Sequence, residues 1–225
     1  MKISKRIVAL FRWRKIKISY GITVCNEAEE LKRLLDCLVP NVSHKDEIII
    51  LSDKSKVTNE VLDVINKYIS DSKLISHISY PLNNDFATYK NNLIDAATGN
   101  YLFQIDADEV PNIQLIKSIR YIVNYYSKFD SFRIPRINIV EGVTEEHIQN
   151  WGWNIDDKGR VNFPDLQMRL FCLNKGILWK NKVHEELINY SSVKVLSYET
   201  EENCLYHIKN IDRQVAQNDY YETLN

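Results

Sequence analysis

Apolar residues in the first half of the chain fall in short blocks whose period alternates between strand-like and helix-like. Residues 17–24 (KISYGITV) read as a strand rich in β-branched and aromatic residues. Residues 46–53 (DEIIILSD) are a continuous apolar run, as expected of a parallel strand buried on both faces. Between them, residues 27–38 place Leu31, Leu34, Leu35 and Leu38 at helical spacing, with Glu residues in the first turn. The alternation continues. Residues 58–69 predict a helix with Thr58 as its cap, 73–80 a third strand, and 85–98 a helix closed by Gly99. Residues 100–107 predict a fourth strand and 111–126 a helix opened by Pro111. Repeated strand–helix units predict an α/β fold with a mostly parallel central sheet flanked by helices. Ligands in such sheets sit at the carboxyl ends of the strands.

After residue 127 the pattern changes. Residues 131–140 (SFRIPRINIV) predict a strand that Pro135 breaks or confines to an edge, and residues 151–165 are loop-like. LQMRLFCL and GILWKNKV predict a strand pair joined around NKG, and residues 210–225 a C-terminal helix. This half reads as a mixed extension of a single domain spanning 1–225.

Composition narrows the function little. The net charge of −1 gives no global pull toward nucleic acid or membrane. Lys2, Lys5, Arg6, Arg12, Arg14, Lys15 and Lys17 nonetheless make the start basic, either as a solvated segment or as a surface for an anionic acceptor or partner. Cys25, Cys37, Cys172 and Cys204 lack CxxC spacing, so they are expected to be reduced thiols in a cytoplasmic protein. No apolar run is long enough to span a bilayer, and Ile7 to Phe11 is too short for a signal peptide.

The candidate chemistry sits in YLFQIDADEVPN, where Asp106, Asp108 and Glu109 place three carboxylates in four residues. Two such charges about 4 Å apart cost roughly 4 kcal/mol at an effective dielectric of about 20. If the strand stays extended, Asp106 and Asp108 share a face across the small Ala107 and can share a divalent cation. The alternative is that Asp108 and Glu109 merely favour a helix N-terminus. CNE, LSD and DADE each follow a predicted strand, so all three can converge on one crevice.

In order along the chain, SYGITVCNEAEELKRLLDCL, DEIIILSD, NDFATYKNNLIDAATGNYLFQIDADE and FPDLQMRLFCLNKGILWKNKVHEEL resemble family 2 glycosyltransferases of the GT-A fold. The last block resembles the subgroup with lipopolysaccharide core glucosyltransferases and bacteriophage-encoded transferases. The resemblance implies inverting transfer of a sugar from a nucleoside diphosphate sugar, UDP being the commonest nucleotide. Residues 17–110 would form the nucleotide-sugar half and 111–209 the acceptor side. Thr23, Asn26 and Glu27 match the first nucleotide-contacting loop. Asp53 matches the base- or ribose-holding acid, although LSDKSKVTNE departs from the usual DDGSTDGT. Asp85, Lys90 and Asn91 match the loop and helix start flanking the nucleotide. Asp106, Ala107 and Asp108 match the DxD motif, which implies Mn²⁺ or Mg²⁺ on the diphosphate.

An inverting transfer needs a general base. KVHEEL offers Glu185 for that role. His184 is the other candidate base, or a metal or phosphate contact, and the pair could also be a hydrogen-bonded loop. His207 is a candidate third metal ligand. Trp151, Trp153 and Trp179 could stack on sugars or build core. Asp165, Gln167 and Arg169 alternate, which predicts one polar strand face for donor-sugar or acceptor contacts. Asp165 is the sugar-hydroxyl acceptor among them, and Arg169 could instead pair with an acidic neighbour. The acceptor implied is a saccharide or glycolipid. The alternatives are a hydroxymethylated DNA base, or a catalytically silent nucleotide-sugar or glycan-binding module.

Overall fold

The computed structural model describes residues 15–222. Lys2, Lys5, Arg6, Arg12 and Arg14 of the basic start, and the Ile7 to Phe11 run, lie outside the described residues. The predicted α/β architecture is present, built on a nine-stranded, mostly parallel sheet.

Strands β1 (Ile18–Val24), β2 (Glu47–Asp53), β3 (Ile75–Tyr80) and β4 (Tyr101–Asp106) pair in parallel in the order β3-β2-β1-β4. Nearly every residue of β1 and β2 is buried, which explains their lack of polar alternation. Helix α1 (Ala28–Leu38) seats all four spaced leucines in the core. Helix α2 (Asn59–Asp71) is capped as predicted, Thr58 accepting from the Val61 N–H at 3.4 Å. Helix α3 (Phe86–Ala96) is capped by Asp85. Gly99 lies beyond the end of α3 and does not close it. Its role is close approach, since a Cβ there would fall 2.6 Å from Ser19 Oγ.

Pro111 does not open a helix. It ends β5 (Glu109–Pro111), and Asn112 caps α4 (Ile113–Tyr125) by accepting from the Gln114 N–H at 2.9 Å. The DADE motif is thus a turn between two strands rather than the lead into a helix.

In the second half, β6 (Ser131–Glu141) lies between β7 (Val161–Cys172) and β11 (Leu205–Asn210). Pro135 is therefore inside a central strand, correcting the edge assignment. The β6–β7 ladder shifts register at Phe132/Arg133 and at Arg136/Asn138, on either side of this residue that has no N–H to give. The expected pairing across NKG is also corrected. β7 runs antiparallel between β4 and β6, while β8 (Leu178–Lys180) pairs with β9 (Glu186–Ile188) in a separate ribbon. A 3₁₀ turn at Leu173–Lys175 and Gly176 at φ +67° carry the chain away from β7.

Helix α5 (Glu145–Trp151) was not anticipated, and Thr144 caps it. Strand β10 (Val193–Val195) pairs with the start of β6, and β11 pairs antiparallel with β5. Helix α6 (Ile211–Glu222) follows β11 directly.

Candidate functional site

Because β2, β1 and β4 are neighbours and parallel, the segments after them emerge at one edge of the sheet. Thr23 sits opposite Asp106 in the ladder, and its Oγ1 donates to Asp106 Oδ1 at 2.7 Å. Beside them opens a cleft of about 880 Å³ reaching across β7, β6 and β11. Its walls include Lys90, Asp106, Asp108, Trp153, Asp165, Gln167, Arg169, Trp179, His184, Glu185 and His207.

The carboxylate repulsion is relieved mainly by arginine. Arg169 Nη2 lies 2.6 Å from Asp106 Oδ2 and 2.6 Å from Glu109 Oε1. Arg136 continues the chain, 2.9 Å from Glu109 Oε1 and 2.7 Å from Asp165 Oδ2. Glu109 is fully buried and also accepts from the Asp106 N–H at 3.1 Å. Burial alone would push the Asp106 carboxyl up, but Arg169 and then Lys90 outweigh it and hold the group well below the carboxylate range. Burial likewise opposes charge on Arg169, yet Asp106 and Glu109 push its pKa further up.

The two DxD side chains take different partners. Both Asp106 oxygens are engaged, one by Thr23 and one by Arg169. Asp108 Oδ2 instead lies 3.2 Å from His207 Nε2. The DAD segment does not stay extended, because the chain leaves the strand conformation at Ala107, and both carboxylates still line the cleft. Among the described residues no three metal-binding side chains form a ready cluster; of the predicted ligands Asp106, Asp108 and His207, Asp108 and His207 face each other while Asp106 pairs with Arg169.

That pair is oriented from behind. Asn138 Nδ2 donates to Asp165 Oδ2 at 2.9 Å, which turns Asn138 Oδ1 toward His207 Nδ1 at 2.7 Å. A carbonyl oxygen only accepts, so His207 donates from Nδ1 to Asn138 and faces Asp108 with Nε2. A carboxylate beside an imidazole whose far nitrogen is hydrogen-bonded suits a divalent cation. Burial raises the Asp108 carboxyl, and the His207 hydrogen bond outweighs that, leaving it below its ordinary value.

Lys90 is buried and joins the two halves. Its Nζ lies 2.5 Å from Glu185 Oε1, 3.8 Å from Asp106 Oδ1, and 5.1 Å above the Trp179 ring. Glu185 and His184 both face the cleft, and His184 takes a left-handed φ of +52°. Trp179 is mostly core. Its Nε1 donates to the buried Gln104 at 2.8 Å, so it backs Lys90 rather than offering an open stacking face. Trp153 is half-buried on the cleft wall, packed against Trp151 at 4.7 Å between centroids.

The polar face predicted for β7 is real and is largely paired within the protein, with the buried Arg169 Nε left without a partner. Asp165 accepts from Arg136, Asn138 and Gln167, and Arg169 pairs with acids. Asp165, the expected sugar-hydroxyl acceptor, thus already receives three protein donors.

The remaining residues of the nucleotide half lie outside the cleft wall. Glu27 Oε2 accepts from the Cys25 and Asn26 N–H groups at 2.7 and 3.0 Å, shaping the loop after β1. Asp53 Oδ1 accepts from Ser55 and Leu82 N–H, and its buried Oδ2 has no partner. Asp85 caps α3. Asn91 exchanges hydrogen bonds with the Trp179 backbone at 2.9 and 3.0 Å, so it clamps β8 rather than reaching outward. Ala107 is buried, its N–H donating to the Thr23 carbonyl at 3.0 Å.

Arg136 and Asn138 escaped the sequence reading, and Glu109 entered it only as a third carboxylate or a helix N-terminal acid. Arg136 and Asn138 alternate along β6 as Asp165, Gln167 and Arg169 do along β7. That second polar alternation was the available signal. Nothing local marked the full burial of Glu109 between two arginines.

The sequence model of glycosyl transferase family 2 matches residues 19–187. The chain belongs to glycosyl transferase family 2. It is 28% identical over 181 residues to the SPbeta prophage-derived glycosyltransferase SunS of Bacillus subtilis strain 168, covering 77% of this chain and 35% of that one. The SunS of Bacillus phage SPbeta matches to the same extent. The family 2 chain thus spans about a third of the length of these curated relatives. In fold it is similar to residues 1–349 of S. aureus TarS, with a TM-score of 0.59 and 15% identity over 86% of this chain and 60% of that one. The same TarS fragment in complex with UDP-GlcNAc matches at a TM-score of 0.59 and 16% identity, over 86% of this chain and 59% of that one. The GT-A expectation therefore holds at the level of fold. No helix among the described residues is long and apolar enough to cross a membrane.

Proposed function

We propose that this chain transfers a sugar, with inversion, from a nucleoside diphosphate sugar to an acceptor hydroxyl on a saccharide or glycolipid. The observation that carries the reading is the Asp108–His207 pair, 3.2 Å apart and oriented through Asn138, on the wall of the cleft that also holds Glu185. Asp108 and His207 would hold Mn²⁺ or Mg²⁺, which when bound neutralises charge on the diphosphate leaving group. A TarS structure holding UDP-GlcNAc supports a UDP-sugar donor.

Glu185 is the general base in this reading. Its Oε1 is tied to Lys90 at 2.5 Å, which aims the carboxylate into the cleft. His184, its neighbour on the same wall, is the alternative base. Asp106 acts through its partners: it holds Arg169 and Lys90 in place and steadies the strand end from which Asp108 projects.

Thermal unfolding with a panel of nucleotide sugars, each with Mn²⁺ and with EDTA, tests this. A donor at 100 times its dissociation constant stabilises the fold by about 2.7 kcal/mol. The expected outcome is a metal-dependent rise with one donor, lost in Asp108→Asn. No rise with any donor would favour a silent binding module. Glu185→Gln should retain the donor-induced rise while losing transfer. Loss of transfer in His184→Ala, with Glu185→Gln active, would move the base to His184.

A further inference from the structure

Arg213, in the first turn of α6, reaches away from its own helix toward three acids on two other segments. Its Nη2 lies 3.1 Å from Glu27 Oε1 and 3.9 Å from Asp108 Oδ2, and its Nη1 pairs with Glu30. The Asp108 oxygen concerned is Oδ2, the same atom that faces His207 Nε2. A cation held between Asp108 and His207 would therefore lie within a few ångströms of the guanidinium. Like charges that close repel, because the site is screened less than bulk water.

Glu27 connects this contact to the nucleotide half. One of its oxygens takes Arg213, while the other accepts the Cys25 and Asn26 N–H groups. The helix is also committed to the cleft, since Gln214 and Asn218 of α6 line it. Arg213 thus touches the loop after β1, the second carboxylate of the DxD turn and, through its own helix, the cleft wall.

We propose that Arg213 is a built-in electrostatic competitor for the divalent cation, a positioning residue that holds α6 against Asp108 until the metal arrives. Metal entry at Asp108 would end the Arg213–Asp108 contact and leave the guanidinium on Glu27 and Glu30, which already anchor it. The loop after β1 and α6 then respond together to metal binding. The inference rests on the Asp108–His207 cation site proposed above.

The test is Mn²⁺ titration of the whole chain without nucleotide, following free Mn²⁺ by electron paramagnetic resonance, in wild type, Asp108→Asn, Arg213→Gln and Arg213→Lys. Arg213→Gln should bind Mn²⁺ at least about tenfold more tightly than wild type, given the size of a charge–charge term at this range. Arg213→Lys, which keeps the charge, should stay near wild type. Hydrogen exchange in α6 should rise on adding Mn²⁺ to wild type and not change in Arg213→Gln. A merely structural arginine would leave Mn²⁺ affinity unchanged or weaken it when removed, and either result overturns the competition. Mn²⁺ binding that persists undiminished in Asp108→Asn overturns instead the metal placement on which it rests. Absence of Mn²⁺ binding in every variant overturns both.

Discussion

The two halves of the sheet solve opposite problems. In β1, β2 and β4 most side chains are apolar and nearly all residues are covered, and hydrophobic burial holds the layer together. On the cleft-facing side of β7, β6 and β11 the strands carry Arg169, Asp165, Arg136, Asn138, His207 and Lys209, and a chain of ion pairs holds them in register. The lesson is where precision is stored. The apolar half is a platform that tolerates repacking, because dispersion and burial are non-directional. The charged half is directional, because each buried ion needs its counter-ion at hydrogen-bond distance.

If that contrast is right, the largest effects come from the charged half. Asp108→Asn should leave the fold intact and lower transfer by about 10³-fold or more, the several kcal/mol that metal charge stabilisation supplies. Steady-state turnover checks this, and near-normal turnover would detach the carboxylate from chemistry.

Glu109→Ala comes next. It strips a fully buried counter-ion from two arginines and should cost about 3–5 kcal/mol of stability by denaturant unfolding. A loss below about 1 kcal/mol, the scale of an exposed pair, would show that the network is not stabilising and would break the comparison.

Asn138→Ala separates orientation from ligation. It frees His207 Nδ1 while leaving Asp108 and His207 in place, and should weaken Mn²⁺ binding by about 10–100-fold. Unchanged Mn²⁺ affinity would mean the imidazole is positioned by other contacts.

Acid should act on the same half. Asp106, Asp108 and Asp165 all sit below their ordinary pKa, so the folded chain holds fewer protons than the unfolded one as pH drops. Their stabilisation is present above the unfolded value, about 3.9, and is lost as pH falls through the lower folded values. Unfolding midpoints should therefore decline below about pH 4, and less steeply in Asp165→Asn. A midpoint flat down to pH 2.5 would contradict the pairing. The smallest expected change lies in the apolar half, where Thr58→Ala removes the α2 cap at a cost of about 1 kcal/mol by thermal unfolding.

Legibility along the sequence follows the same division. The leucines of α1, the unbroken run of β2 and the Thr58 cap each state their structure within a dozen residues, because helix period and strand burial are local consequences of one buried face. Pro135 misled because a local rule, no N–H to donate, was met by register shifts in a ladder formed with strands far along the chain. Gly99 and Pro111 misled for a related reason: the partners that define their roles, Ser19 and Leu205, lie far away in sequence.

The chain's order of residues by itself determined the α/β class, the parallel core, the edge where CNE, LSD and DADE emerge, and which residues could carry the chemistry. Only the tertiary structure decided how the charges divide. It gave Asp106 to Arg169, gave Asp108 to His207, buried Glu109 between two arginines and brought Arg213 back to the start of the chain. The physical reason is range. Periodicity and capping act within a few residues, whereas an ion pair depends only on distance in space, which chain folding sets and sequence spacing does not.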